Sequence, residues 1–147
     1  MALFNAADPV PPTAKYRILV VDDSEDSAEG LAALVRLLGH DARTAHDGQE
    51  ALAVADAYRP ALAFIDIGLP DMDGYQVARR MRETPGLAAT VLVALTGYSG
   101  ADELHRSEAA GFDRHLVKPL DFGELDRLLR SLPKGAFRAP SAPGSRG

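Results

Sequence analysis

The sequence predicts an α/β fold built on a doubly wound, five-stranded parallel sheet in the order 2-1-3-4-5. Strand-like and helix-like segments alternate five times with short links, as in a parallel sheet covered by helices on both faces. The first, third and fourth strand-like segments are unbroken apolar runs, which is typical of strands buried on both faces. The second and fifth are more polar, which favours positions at the two edges of the sheet.

In the first half of the chain, hydrophobic patterning and helix-boundary residues mark the elements. Continuous apolar runs predict the first and third strands, and alternation predicts the second. Apolar residues at helical spacing predict a first helix that stops at Gly39, and Asp47 with Glu50 forms a cap-like pair that opens the second. The predicted elements are a strand at Ile18–Val21, a helix at Ser24–Leu38, a strand at Asp41–Ala45, a helix from Asp47 to about Tyr58 and a strand at Ala61–Ile65.

The second half of the chain follows the same logic. A loop rich in glycine, proline and aspartate, Gly68–Gly74, precedes the third helix. The fourth helix has a weak apolar stripe of little more than Leu104 and small alanines, whereas the last helix has leucines at helical spacing and stops at Pro133. The predicted elements are a helix with Tyr75, Val77, Ala78 and Met81 inward, a strand at Val91–Leu95, a helix at Ala101–Ala110, a strand at His115–Val117 and a helix at Asp121–Leu132.

One folded domain is expected between two tails. A length of 147 residues fits a single domain of ordinary size. The start of the chain contains three prolines, and its end is built largely from Pro, Gly, Ala and Ser, a composition that cannot bury enough surface to order itself. We therefore predict a flexible tail at residues 1–15, a folded domain at 16–132 and a second flexible tail at 133–147.

Composition and charge exclude several classes of protein. The chain has no cysteine, which excludes disulfides and thiolate metal sites. No apolar run approaches the ~20 residues of a membrane span, and the N-terminus lacks the pattern of a signal peptide, so we expect a cytoplasmic protein without membrane insertion. The net charge is −5, and because residues 133–147 hold three bases and no acid, residues 1–132 carry −8. This acidic balance argues against direct nucleic-acid binding.

Polar side chains follow four of the five predicted strands. Asp22 and Asp23 come directly after the first strand, Asp66 after the third and Thr96 after the fourth, while Lys118 follows the fifth. The carboxyl ends of parallel strands meet at one edge of the sheet, and the crevice of this topology opens between strands 1 and 3. We therefore expect these five side chains to converge there.

Three carboxylates in one crevice need a compensating cation. An aspartate after a strand is usually a helix cap, but Ser24 alone suffices to cap the first helix, so the two acids before it have no local role. At about 5 Å, such carboxylates repel by roughly 3 kcal/mol per pair at an effective dielectric constant near 20. Hard oxygen ligands without histidine or cysteine suit Mg²⁺ or a similar ion.

The segments ILVVDDS, FIDIGLPDMDGYQVARRMR, ALTGYS and HLVKPLD resemble the receiver domain of two-component response regulators over about residues 16–132. Asp23, Thr96 and Lys118 lie 43, 30 and 52 residues from Asp66. The resemblance implies a flavodoxin-like receiver fold. It also implies that Asp66 is the phosphoacceptor, which takes a phosphoryl group from a histidine kinase or a histidine phosphotransfer protein and switches a surface that binds a downstream protein.

The resemblance also implies roles for the other residues of the crevice. Asp23 and Asp66 would ligate Mg²⁺ directly and Gly68 through its backbone carbonyl, with Asp22 acting mostly through water. Lys118 would pair first with the carboxylate and then with the phosphoryl oxygens, and Thr96 would donate its hydroxyl to the phosphoryl group. Such chemistry needs positioning and charge neutralisation more than covalent machinery.

The sequence departs from the commonest receiver pattern beside these residues. His115 stands where the family usually carries a tyrosine or phenylalanine switch, which makes a pH-sensitive variant a hypothesis. The resemblance implies that Gly68 and Tyr98, two residues beyond Asp66 and Thr96, would flank the path of a hydrolytic water, and we expect them to tune the phosphoryl lifetime. Pro119, which follows Lys118, is expected to form a cis turn that directs the ammonium group.

Two other functions remain as alternatives to a signalling phosphoacceptor that catalyses only its own phosphorylation and dephosphorylation. A metal-dependent aspartyl-phosphate phosphatase would carry a second aspartate two residues after the nucleophile, where this chain has Gly68. A phosphorylation-independent scaffold would lack part of the acid cluster. The chain is expected to be a stand-alone receiver, favoured by its initiating methionine and two tails, or a fragment of a larger regulator or hybrid kinase.

Two further motifs are set aside. Asp71, Asp73 and Gly74 are similar to a calcium loop, but Leu69 and Arg80 occupy its first and last ligand positions. The four histidines have no metal-ligand spacing, and we interpret them as solvated or capping residues. They are His40, His46, His105 and His115.

Overall fold

The computed structural model describes residues 16–97 and 100–131 of the chain. The strands are β1 (Arg17–Val21), β2 (Asp41–Ala45), β3 (Leu62–Asp66), β4 (Val91–Thr96) and β5 (Arg114–Val117). The helices are α1 (Glu25–Leu37), α2 (Gly48–Tyr58), α3 (Gly74–Glu83), α4 (Ala101–Ala110) and α5 (Phe122–Ser131). The strands form one parallel sheet in the order β2-β1-β3-β4-β5, which confirms the predicted topology.

Each face of the sheet is covered by its own layer of helices. One layer packs α1 and α5 against Ile18, Val20 and Phe64. The other packs α2, α3 and α4 against Leu19 and Ile65. Because successive residues of a strand point to opposite faces, nearly every residue of β1, β3 and β4 has to be apolar. The unbroken apolar runs of the sequence have this origin.

The two polar strands lie at the edges of the sheet, as predicted. β2 pairs with β1 alone and β5 with β4 alone. Each edge strand keeps partly or fully exposed positions, whereas β4 is buried along its whole length. The order places the carboxyl ends of the two central strands, β1 and β3, side by side.

Side-chain caps start four of the five helices. Ser24 begins α1 as predicted, and Asp47 begins α2 by accepting a hydrogen bond from the Glu50 amide at 2.7 Å. The Glu50 carboxylate itself accepts from the backbone amide of His46, one residue before the cap. Asp73 and Asp121 cap α3 and α5. Only α4, among the helices that the structure describes, starts without a side-chain cap.

The predicted apolar stripe of α4 is largely wrong, because Ala110 is the only one of its leucine and alanines that is buried. Leu104 is 42% exposed, and the buried residues of this helix are Ser107 and Ala110. The helix is held to α3 by a polar contact, since the Tyr75 hydroxyl donates to the Glu103 carboxylate at 2.7 Å. The inward face therefore runs through residues 103, 107 and 110, and the side chain of residue 104 projects about 100° away from residue 103.

The predicted tails lie outside the described residues, as does Leu132 at the end of the last predicted helix. Within residues 16–97 and 100–131, no helix combines the length and the apolar character that a bilayer crossing requires. The part of the chain that the structure describes is thus the two-layered sheet and its helices.

Candidate functional site

The crevice at the carboxyl end of the sheet brings the three predicted carboxylates together. Val21 pairs with Ile65 in the ladder between β1 and β3, so the residues that follow β1 lie beside the end of β3. One carboxylate oxygen from each of Asp22, Asp23 and Asp66 lies within 4.8 Å of the others. Asp22 is buried, Asp66 is partly buried and Asp23 is exposed.

Lys118 is the counter-charge of this cluster. Its ammonium group donates to Asp66 Oδ2 at 2.8 Å and to Asp22 Oδ2 at 2.9 Å. Although partial burial acts to lower the pKa of Lys118, the hydrogen bonds and charges of these two carboxylates raise it above its usual value. The amine therefore stays protonated at neutral pH. Counted as formal charges, one lysine against three aspartates leaves the cluster at −2, which attracts a further cation.

Asp22 is held at all of its polar atoms. Its second carboxylate oxygen accepts from the Ser24 amide at 3.0 Å, and its backbone amide donates to the Ala45 carbonyl. His46 Nδ1 lies 3.1 Å from the Asp22 carbonyl oxygen, and since a carbonyl only accepts, this ring nitrogen carries the proton. The sequence analysis missed this contact of His46.

Asp66 is positioned by the loop that follows it. Its Oδ1 accepts from the Gly68 amide at 3.0 Å, while its other oxygen faces Lys118. The N-terminus of α3 approaches closely: a Cβ at Gly74 would lie 2.7 Å from the Asp66 carbonyl oxygen and 2.8 Å from the Ile67 Cα. Only glycine fits this approach, which closes the β3–α3 loop beside the carboxylate.

Thr96 and Lys118 are neighbours across the last strand pair. Thr96 is buried at the end of β4, and its carbonyl accepts from the Lys118 amide at 2.7 Å. The Lys118–Pro119 peptide bond is cis, the geometry that the sequence analysis expects. The hydroxyl-bearing residue and the ammonium-bearing residue therefore border the crevice on its β4–β5 side.

His115 lies in β5 beneath α4, and Tyr98 lies outside the described residues. His115 is opposite Ala94 in the β4–β5 ladder, and its Nδ1 is 3.4 Å from the Ser107 hydroxyl of α4. Its Nε2 is buried and has no hydrogen-bond partner in the part of the chain that the structure describes. The imidazole thus contacts the fourth helix, away from the acid cluster.

A groove opens from the cluster along α1. It has a volume of about 690 Å³ and lies between α1 and the segment that links β5 to α5. A Cβ at Gly30, on α1, would meet no atom within 4 Å. The groove is lined by Asp22, Asp26, Ser27, Gly30, Leu31, Leu34, Leu95, Lys118, Pro119 and Leu120.

Fold and site together define a class of protein: a doubly wound α/β domain with an acid cluster, a lysine and a threonine at the crevice of its sheet. Residues 18–130 match the family model of the response regulator receiver domain. The chain belongs to this family, the receiver domains of two-component signalling.

Three relatives illustrate the similarity. The gliding motility regulatory protein of Myxococcus xanthus is 34% identical over 108 residues, which cover 74% of this chain and 14% of that protein. The chemotaxis protein CheY4 of Vibrio cholerae has a solved structure with a TM-score of 0.78 and 28% identity, covering 82% of this chain and 100% of that one. The receiver domain of the sensor histidine kinase PA1611 of Pseudomonas aeruginosa, solved with a magnesium ion in its active-site cleft, has a TM-score of 0.73 and 29% identity over 80% of this chain and 96% of that one.

Proposed function

We propose that this receiver accepts a phosphoryl group on Asp66 from a phosphohistidine, carried by a histidine kinase or a histidine phosphotransfer protein. The observation that carries the proposal is the position of the Asp66 carboxylate, which lies 2.8 Å from the Lys118 ammonium and within an acid cluster open to the crevice. The predicted phosphoacceptor and its ammonium partner are 52 residues apart in the chain and in hydrogen-bond contact in the fold.

The residues of the crevice divide the transfer among them. A carboxylate oxygen of Asp66 forms a bond to phosphorus while the bond between phosphorus and the histidine nitrogen breaks, and the electron pair of that bond returns to the imidazole. Lys118, paired with Asp66 beforehand, then pairs with the phosphoryl oxygens. Thr96 donates its hydroxyl to the same group. These residues position the phosphoryl group and neutralise its negative charge, which is what phosphoryl transfer requires.

We propose Mg²⁺ as the cofactor, and the donor set supports it. Three carboxylates within 4.8 Å, without histidine or cysteine ligands, are hard oxygen donors that suit this ion. Asp23, Asp66 and the Gly68 carbonyl would hold it, and Asp22, the buried member of the cluster, would act mostly through water. Bound Mg²⁺ would neutralise the charge that the phosphoryl group brings. The related PA1611 receiver holds a magnesium ion in its cleft.

We propose that the output is a binding surface for a downstream protein, formed by α4, β5 and α5. The fourth helix buries only two residues and lacks a side-chain cap, so a modest bias can move it. His115 connects β5 to Ser107 of this helix and remains our candidate switch residue, together with Tyr98. On this proposal the domain catalyses only its own phosphorylation and dephosphorylation, and it acts in the cytoplasm, where ATP-dependent kinases charge the donor.

The experiment that tests the proposed function is incubation of the protein with acetyl phosphate and Mg²⁺. One phosphoryl group per chain should appear in the mass spectrum and should be removed by hydroxylamine, which cleaves acyl phosphates. Omission of Mg²⁺ should slow the reaction strongly. Protein that stays unmodified with acetyl phosphate and with a panel of phosphorylated histidine kinases would overturn the proposal.

The groove beside the cluster provides a test of the donor. Gly30 costs α1 about 1 kcal/mol relative to alanine, although a side chain there would meet nothing within 4 Å. We therefore expect the groove to accommodate part of the phosphodonor. Gly30→Leu should slow transfer from a phosphohistidine donor about tenfold, equivalent to about 1.4 kcal/mol, while labelling by acetyl phosphate stays unchanged.

Gly30→Ala is the matched control, since it gives α1 the same gain in helix propensity with little added volume. It should accept the phosphoryl group at close to the wild-type rate. Rates are measured by following radiolabel from the donor to the receiver. Normal transfer to the leucine variant would remove the groove from the docking surface.

A further inference from the structure

The loop between β3 and α3, residues 67–73, is tied to a helix that belongs to another part of the chain. Asp71 Oδ1 accepts from the Gly48 amide at 2.7 Å, and its Oδ2 accepts from the Gln49 amide at 3.0 Å. Both amides belong to the first turn of α2. The two bonds, which we name the Asp71 bridge, join residues that are 23 and 22 positions apart.

The Asp71 bridge is additional to the helix's own cap. A helix leaves its first amides without intrahelical partners, and Asp47 satisfies one of them through the Glu50 amide at 2.7 Å. Asp71 satisfies two more, so a second carboxylate stands at the same helix end, where negative charge is favoured. The amide of Gly48, followed by that of Gln49, lowers the pKa of Asp71 below its usual value, so the bridge is ionised at neutral pH.

Side-chain packing supports the same contact. A Cβ at Gly48 would overlap the Met72 side chain and would lie 3.2 Å from Asp71 Oδ1. Met72 packs against the core layer that contains α2 and α3. The start of α2 and the end of the loop therefore pack closely, and a side chain at residue 48 would have to displace that of Met72.

The other attachments of the loop leave Gly68 between fixed points. At its base, the Gly74 amide donates to the Ile67 carbonyl at 2.9 Å. Leu69 is buried, whereas Gly68 is exposed. On the β3 side, the backbone at Gly68 is thus held by the hydrogen bond of Ile67 and the burial of Leu69. On the α3 side, the loop is held by the Asp71 bridge.

We propose that Asp71 is a positioning residue of the metal site: by fixing the β3–α3 loop to the first turn of α2, it holds the Gly68 carbonyl where a cation bound by Asp23 and Asp66 would use it. This inference rests on the proposed function and adds a residue to it. Asp71 stands in a segment whose sequence is similar to a calcium loop. In our proposal it does not bind the cation, and it supports the metal ligands by accepting hydrogen bonds from the backbone amides of α2.

The test compares two aspartates that cap the same helix. Mg²⁺ affinity of the metal-free protein is measured by titration calorimetry, and stability by urea unfolding. Asp71→Ala should raise the Kd for Mg²⁺ about tenfold, at the low end of the loss seen when a supporting residue of a metal ligand is removed. Asp47→Ala should lower stability to a similar extent, because it also removes a cap, and should leave the Kd within about twofold of wild type.

Asp71→Asn keeps one oxygen acceptor and should give an intermediate Kd; it also serves if the alanine variant does not fold. Wild-type affinity in the Asp71 variants, or an equal loss of affinity in Asp47→Ala, would overturn the positioning role and leave the proposed function intact. A wild-type protein that binds no Mg²⁺ in the millimolar range would overturn the metal site itself. The proposal of Mg²⁺ as the cofactor and the positioning role of Asp71 would then both fail.

Discussion

Asp66→Asn is expected to abolish phosphorylation, with incorporation from acetyl phosphate or a phosphohistidine donor falling at least about a hundredfold, equivalent to about 2.7 kcal/mol. The amide of asparagine is not a nucleophile, and the other carboxylates of the cluster differ from Asp66 in burial: Asp22, which also contacts Lys118, is buried, and Asp23 is exposed. The asparagine oxygen can still accept from the Gly68 amide, so the loop is expected to keep its position. Incorporation is measured by mass spectrometry of the intact chain.

The control for this prediction is Asp102→Asn, which makes the same chemical change at an exposed acid in the first turn of α4. It should be labelled like the wild type. Labelling of Asp66→Asn at the wild-type level would reject Asp66 as the acceptor. If peptide mapping finds the label on a neighbouring carboxylate instead, Asp66 is not the single acceptor.

Asp23→Asn is expected to raise stability in metal-free buffer and to remove the response to Mg²⁺. Because Asp23 is exposed, its substitution removes a repelling charge without removing a packed side chain. In the wild type, Mg²⁺ at a hundred times its Kd should stabilise the fold by about 2.7 kcal/mol, since only the native state assembles the cluster. The variant should show almost none of this gain in urea unfolding followed by circular dichroism.

Asp26→Asn is the matched control for the second prediction. It removes an exposed charge from the first turn of α1, outside the acid cluster, so the Mg²⁺ response should survive. An equal response to Mg²⁺ in the wild type and in Asp23→Asn would show that Asp23 is not a ligand. A wild-type stability indifferent to millimolar Mg²⁺ would argue against any metal at this edge of the sheet.

The sheet was predictable from the sequence because its strands differ in burial. β1, β3 and β4 are covered on both faces and read as unbroken apolar runs, while the one-sided pairing of β2 and β5 explains their polar residues. The convergence of Asp22, Asp66 and Lys118 was predictable for a related reason: each follows a parallel strand, and the ends of such strands meet at one edge.

Other contacts left no periodic signal in the sequence. Asp71 and His46 act through hydrogen bonds to backbone groups that are distant in the sequence, and neither apolar spacing nor strand position marks them. Leu104 failed as a core residue for a similar reason. The inward face of α4 is defined by a polar contact between Tyr75 and Glu103, which hydrophobic patterning cannot detect.

Lys118 and Asp22 are 96 residues apart in the sequence, and this separation affects how the protein folds during synthesis. A chain that grows from its N-terminus presents Asp22 and Asp23 first and Asp66 later, and all three precede their ammonium partner. Until β5 docks, a partly assembled sheet holds like charges at its edge with nothing opposite them. Acquisition of the last strand is therefore electrostatically favourable, and a nascent chain that ends before Lys118 should depend more on divalent cations than the finished domain.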